Sequence, residues 1–451
     1  MVVGADAAGM SAASQARKRR GPDDLRITAF ERGRAASYSA CGIPYWISGT
    51  VGSEAELIAR SPEQHRANGI DLRLCTEVTG IDLDRREVQW RSADGSGAEP
   101  FDSLVYATGS VPMRPAVPGI DAVGVYGVQV LDDGADVLAA LERPGVRRAV
   151  VVGGGYIGLE MAEAMKVRGL EVTVVDRSAT PISTFDPDVG EFVATAVRGM
   201  GIELVLSDGA AAIGTTRGRV DSVITASGRE LPADLVVLGL GVRPNVRLAE
   251  HAGIPLGTSG GVAVDARMRT GVEGIWSAGD CVESVHRVSG QRVVVALGTH
   301  ANKQGRVVGI NLGGGYSTFP GVIGTAVTKV CDLEVARTGL SEAEAEVAGF
   351  SCVTAYVDST TRAGYFPGAQ PVRVKLLAER RSGRLLGGHI VGREGSAKRI
   401  DTLATAIWNG MSVDEVLGLD LSYAPPFSPV WDPVLIAARK AFEAVEADTR
   451  C

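Results

Sequence analysis

The sequence predicts an α/β protein containing two parallel-sheet units, and three observations carry that prediction. A glycine-spaced turn, Gly4-Ala5-Asp6-Ala7-Ala8-Gly9, follows the apolar Met1-Val2-Val3 and opens a helical run through Arg19. A second turn, Gly153-Gly154-Gly155-Tyr156-Ile157-Gly158, follows Ala149-Val150-Val151-Val152 and keeps all three glycines. After each comes a strand pattern ending in an acid, Arg26-Ile27-Thr28-Ala29-Phe30-Glu31 and Glu171-Val172-Thr173-Val174-Val175-Asp176. Strand, glycine turn, helix and an acid about 20 residues on form the dinucleotide-binding pattern. Amides at the helix start hold a pyrophosphate, and the acid accepts from ribose hydroxyls.

The amino-terminal turn is the weaker of the two, because Asp6 replaces its middle glycine. Its candidate cofactor residues are Gly4, Ala8, Gly9 and Glu31. Met1-Val2-Val3 is short against a typical strand of about five residues, so the natural chain is expected to have been trimmed or to start upstream of Met1. The second turn contributes Gly153, Gly155, Gly158 and Asp176. Two such patterns in one chain imply two nucleotide cofactors, most simply FAD and NAD(P)H. Asp176 favours NADH by repelling a 2′-phosphate, while Arg177 keeps NADPH open.

Between the two turns stands Cys41, in Ser37-Tyr38-Ser39-Ala40-Cys41-Gly42-Ile43-Pro44-Tyr45-Trp46. The partner of a Cys-x4-Cys redox pair would fall on Trp46, so Cys41 is expected to react with a small external thiol or oxidant. Leu104-Val105-Tyr106-Ala107-Thr108-Gly109 closes the first segment, and a proline-rich run from Val111 to Pro118 reads as a crossing to the next. Leu235 to Asn245 closes the second unit in the same way and includes Gly241. Thr270 to Asp280 then brings a strand to Gly279-Asp280, ahead of a helical segment from Gly298. A carboxylate there suits a flavin ribityl hydroxyl; an ordinary Gly-Asp turn is the alternative.

At 451 residues and 45% hydrophobic content, the chain can bury a large core in about three domains. A formal net charge of -7 argues against nucleic acid as a partner. No apolar run is long enough to span a membrane, so the chain is expected to be soluble and cytoplasmic. Of the six cysteines, Cys75, Cys281, Cys331, Cys352 and Cys451 read as reduced structural thiols, and the five histidines show no metal-ligand spacing.

In this order of motifs the chain resembles the pyridine nucleotide–disulfide oxidoreductases, specifically their single-cysteine branch of coenzyme A disulfide reductases, NADH oxidases and NADH peroxidases. The resemblance implies an FAD domain from 1–118 and 247–313, an NAD(P) domain at 119–246, and an α+β dimerisation domain at 314–451. It also implies that Cys41 is the redox centre and that the enzyme is a homodimer. The histidine that the peroxidase and several oxidases carry inside the first turn is Ala7 here, which weakens a peroxidase reading. The reductases place two tyrosines from the partner subunit near the cysteine; the matching positions are Tyr365 and Tyr423.

Two-cysteine relatives use a carboxyl-terminal His-x4-Glu, but the last histidine here is His389. Some other group must therefore handle the leaving thiol's proton. A phenol, with an ordinary pKa of about 10, does so where its surroundings lower that value; otherwise Tyr423 is interface packing. Positions matching the reductases' coenzyme A contacts are Ser11, Gln15, Lys18, Ser37, Arg73 and His300. Lys18 also reads as a solvated helix end, and His300 as a core histidine. The family's asparagine before the cysteine is Ala40, and its basic residue after the tyrosine-proline motif is Trp431. The expected activity is NAD(P)H-dependent reduction of coenzyme A disulfide, or of a related small disulfide or persulfide. A water-forming NADH oxidase and a redox-sensing flavoprotein are the alternatives.

Overall fold

The computed structural model describes residues 1–449. Its first sheet is five-stranded and parallel, in the order Ile275–Ser277, Leu104–Tyr106, Val2–Val3, Ile27–Phe30, Ile70–Arg73. One edge strand comes from beyond residue 270 and pairs with Leu104–Tyr106, so the chain leaves this sheet and later returns to it. Val2–Val3 is only two residues long yet lies at the sheet's centre, where both residues are buried.

The excursion forms a second parallel sheet, in the order Glu203–Val205, Glu171–Val175, Arg148–Val152, Leu235–Leu238, Val125–Gly127. Its central strands read as near-continuous valine and leucine because both faces are covered, one by helices that supply Leu159 and Val193 and the other by antiparallel strands that supply Ile213, Val223 and Leu231. Ser110–Pro112 and Val242–Pro244 pair antiparallel and tie the outgoing and returning chain together. Each parallel unit carries a three-stranded antiparallel meander, within Glu77–Pro100 and Ala210–Pro232.

A third, antiparallel sheet follows, in the order Ala326–Val330, Leu333–Gly339, Leu385–Gly392, Pro371–Glu379, Cys352–Thr360. Leu385–Gly392 is buried along its whole length. The helices Ile400–Trp408 and Pro433–Thr449 complete this α+β unit, whose core includes Leu376, Ile390, Leu403 and Ala438. The α/β architecture with two nucleotide-type sheets and a carboxyl-terminal α+β unit is thus the one expected. Among the described residues no helix is long and apolar enough to cross a membrane.

Candidate functional site

The two glycine turns are built alike. Helices Ala7–Arg17 and Tyr156–Val167 both start without a side-chain cap, leaving first-turn amides open to an anion. A Cβ on Gly9 would lie 1.9 Å from the Gly4 carbonyl oxygen, and one on Gly158 would lie 1.9 Å from that of Gly153. Only glycine therefore lets each helix pack this closely on its strand end. The acids sit where the sequence put them. Glu31 accepts from the Ala5 amide at 2.9 Å and the Gly33 amide at 2.8 Å. Asp176 accepts from the Gly154 amide at 2.5 Å and the Ser178 amide at 2.7 Å. Beyond Glu31 a cavity of about 570 Å³ opens, lined by Arg32, Tyr38, Cys75, Arg91 and Asp132 among others. These uncapped helix starts and terminal acids fit two dinucleotides, one on each sheet.

Around the first turn, Gly279 packs against Ala8, whose Cβ would meet a Cβ on Gly279 at 3.0 Å. Asp280 accepts from the Ser110 hydroxyl at 3.2 Å, and burial pushes its carboxyl up. Thr108 donates to the Asn245 carbonyl at 2.7 Å, and the Asn245 amide donates to Gly109 at 2.9 Å. Gly109 and Gly241 each face open space.

Asp6, the residue that replaces the middle glycine, is pushed up to about 6 by burial, with Glu31 and Asp280 adding repulsion; the Tyr38 amide, donating at 3.2 Å, opposes the shift. Because the folded value is raised, the stability this group contributes is fully present below pH 4 and lost as pH rises through 6. In flavin-free protein, Asp6→Asn is expected to raise the urea midpoint at pH 7.5, by about 2–3 kcal/mol of stability, and not at pH 4. Equal midpoints at pH 7.5 would show that the buried charge carries no such cost.

Cys41 lies on a short 3-10 turn, Ala40–Gly42, that runs directly into helix Ile43–Ser48. The Ser39 amide donates to Leu57 at 2.8 Å and the Gly42 amide to Ser39 at 2.9 Å, fixing the turn. Ile43 and Ile47 pack into the core of the second unit with Leu159 and Met161, so the cysteine segment bridges the two nucleotide folds. The thiol's surroundings disfavour the thiolate. Desolvation pushes it up, the carboxylates of Glu160 and Asp280 add to the rise, and only its own backbone amide opposes them. Desolvation is the larger part of that rise, and the two carboxylates come from distant parts of the chain. Among the other cysteines, Cys75 is exposed, Cys281 and Cys331 are buried and Cys352 is partly buried, whereas Cys451 lies outside the described residues.

Tyr365 and Tyr423 are distant in sequence and adjacent in space. They share a hydrogen bond that holds the Tyr423 proton and pushes its phenol up, opposite to the lowering expected of a proton-handling tyrosine. The sequence reading missed the residue that brings their loops together. The Arg399 guanidinium donates to the Thr361 carbonyl at 2.7 Å, to the Phe427 carbonyl at 2.8 Å and to Asp432 at 3.2 Å. An Arg before a helix of no special pattern gives no sequence signal for that role.

The coenzyme-contact candidates are spread over several elements. Ser11, Gln15 and Lys18 lie on or just past helix Ala7–Arg17, which packs against helix Gly298–Leu312, and Ser11 donates to Asn302 at 2.7 Å. His300 opens the second helix; burial pushes it down to about 4, so it is neutral near pH 7. Ser37 meets the His65 ring at 3.0 Å. Arg73 is already engaged, paired with Asp71 at 2.9 Å and with Glu99, and stacked 5.3 Å from the Phe30 ring. Among the described residues no group of three or more His, Cys, Asp or Glu is arranged to hold a metal ion.

Residues 1–305 match the family model described as pyridine nucleotide-disulphide oxidoreductase, and residues 325–433 match the dimerisation domain of the same family. The chain is 38% identical over 441 residues to an NAD(P)H sulfur oxidoreductase (CoA-dependent) of Pyrococcus abyssi, covering 97% of each chain. It is 35% identical over 448 residues to an NADH oxidase of Methanocaldococcus jannaschii, covering 98% of each. Among solved structures, an NAD-dependent persulfide reductase from A. fulgidus superposes with a TM-score of 0.96 at 38% identity, covering 99% of this chain and 83% of that one. With FAD and NAD(P)H as its cofactors, the chain is an NAD(P)H-dependent flavin oxidoreductase belonging to the pyridine nucleotide-disulphide oxidoreductase family.

Proposed function

We propose that this enzyme reduces a coenzyme A-type disulfide or persulfide through Cys41, acting as a homodimer. The observation that carries this reading is the position of Cys41: an accessible thiol on a turn whose flanking helix is packed into the second nucleotide unit, and whose charge environment is set by residues of both units. Glu31, Asp280 and the amides after Gly4 would hold FAD, and Asp176 with the amides after Gly153 would hold the nicotinamide cofactor. When bound, the flavin supplies two-electron exchange between the nicotinamide and a thiol. The Cys41 thiolate attacks one sulfur of the substrate disulfide, forming a mixed disulfide and expelling the other half as a thiolate. Tyr423, whose raised phenol keeps its proton until a thiolate takes it, acts as the acid that protonates the leaving half and not as a base.

The dimer reading is supported by an apolar surface on the carboxyl-terminal unit. Tyr365 is 77% exposed, Phe427 75% and Val430 68%, a concentration of large side chains that a lone soluble chain rarely leaves in water. A partner subunit covering this surface would also desolvate the tyrosine pair. The relatives named as CoA-dependent sulfur oxidoreductase and persulfide reductase support the sulfur acceptor; the relative named NADH oxidase supports oxygen as the second reading.

An acceptor screen tests the proposal. With NADH, turnover is expected with coenzyme A disulfide or coenzyme A persulfide and only slow consumption of oxygen. Rapid oxygen uptake with NADH alone, and none with either sulfur substrate, would replace this reading with the oxidase.

A further inference from the structure

Strands Leu333–Gly339, Leu385–Gly392 and Pro371–Glu379 lie side by side, with Arg337 paired to His389 and His389 paired to Lys375 in direct register. Two cationic side chains flanking a histidine in one row across adjacent strands repel one another unless something compensates them. All three are buried, Lys375 to 2% exposure. The compensation comes from the second nucleotide unit and from one short helix. Lys375 pairs with Asp186 at 2.7 Å, with Asp188 at 3.2 Å and with Glu342. Arg337 donates to the Thr184 carbonyl, to the Gly339 carbonyl at 3.1 Å and to Glu344. Asp186 also accepts from the Glu342 amide at 3.0 Å. His389 stays neutral, pushed down to about 3 by burial and by Arg337 and Lys375.

Thr184 and Asp186 end the loop that begins at Asp176, and the loop's inner side is fastened to the glycine turn. The Ile182 amide donates to the Gly154 carbonyl at 2.8 Å. The aromatic rings continue the connection. Tyr156, inside the turn itself, lies 6.1 Å from Phe185, and Phe185 lies 5.1 Å from His389. A loop held on one side by the nucleotide turn and on the other by a buried ion cluster has little freedom. Removing the cluster's cations would leave the buried Asp186 carboxylate without Lys375 and release the loop's outer side.

We propose that Lys375 and Arg337, residues of the carboxyl-terminal unit, are positioning residues for the pyridine nucleotide: they fix the Asp176–Asp186 loop so that Asp176 meets the adenosine ribose. The inference rests on the reading of Asp176 given above. It makes nucleotide affinity depend on a sheet outside the nucleotide-binding unit.

The test uses the FAD-loaded enzyme. Lys375→Met is expected to raise KM for NADH about tenfold in the NADH–ferricyanide assay, within the range that such coupled positions reach. Reoxidation of the photoreduced flavin by ferricyanide should stay within twofold. If Lys375→Met does not fold, Asp188→Asn keeps the test open. It removes a partly exposed carboxylate, leaves Lys375 with Asp186 and Glu342, and should raise KM for NADH about threefold. An unchanged KM in a folded variant overturns the proposal, as does a parallel fall of both half-reactions, which marks a purely structural cluster. Asp176→Ala separates the two readings: if that variant binds NADH normally, the ribose assignment fails whatever the Lys375 variant does.

Discussion

Cys41→Ser is expected to bind FAD and accept hydride from NADH at a near-normal rate, and to lose disulfide reduction by several orders of magnitude. The first half follows because the cofactor cradles are made from glycine turns and acids elsewhere, while Cys41 occupies a surface turn of its own. The second follows because no group but a thiolate can both attack a disulfide and leave from the mixed disulfide. NADH–ferricyanide activity and disulfide-dependent NADH oxidation, measured on the same preparation, separate the two. Retained disulfide turnover would remove Cys41 from the chemistry. Tyr423→Phe should lower kcat about 10²-fold or more with little change in stability, since one hydroxyl is lost from an exposed position. Mixing the two variants should restore one working site per heterodimer if the tyrosine acts on the partner's cysteine. An unchanged kcat in Tyr423→Phe would return that residue to interface packing.

Asp176→Ala is expected to shift the ratio of kcat/KM for NADH over NADPH by about 10²-fold toward NADPH, or roughly 2.7 kcal/mol. Two effects add. The carboxylate no longer accepts from a ribose hydroxyl or repels a 2′-phosphate, and the neighbouring Arg177 becomes the nearest charge to that phosphate. Because Asp176 also accepts from the Gly154 and Ser178 amides, NADH binding should weaken in the same variant. Steady-state kinetics with both cofactors decides the matter. A wild-type enzyme that already prefers NADPH would defeat the assignment.

The parts of the molecule legible in the sequence were those whose requirements are local. A glycine is needed where Gly9 and Gly158 approach a carbonyl oxygen, an acid where a strand ends, and a run of branched residues where a parallel strand is covered on both faces; each of these is written in a few consecutive residues. The two antiparallel meanders are not marked in the sequence, because many of their residues are exposed and their strands carry no long apolar run.

Electrostatic character was not legible, since it depends on separation through space. The sequence named Cys41, but the rise of its thiol comes from burial and from Glu160 and Asp280, which reach it only after both sheets have formed. It named Tyr365 and Tyr423, but their shared hydrogen bond and the Arg399 guanidinium that joins their loops follow from the packing of the carboxyl-terminal unit. The buried row of Arg337, His389 and Lys375 exists only in the register of three strands, and its carboxylate partners include Asp186 and Asp188 of a different unit. The chain's order of residues thus determined which nucleotide folds form and which thiol is offered to them. Tertiary structure alone decided how charged that thiol is and what holds the nucleotide loop, because Coulomb interactions and desolvation act over distances that only folding creates.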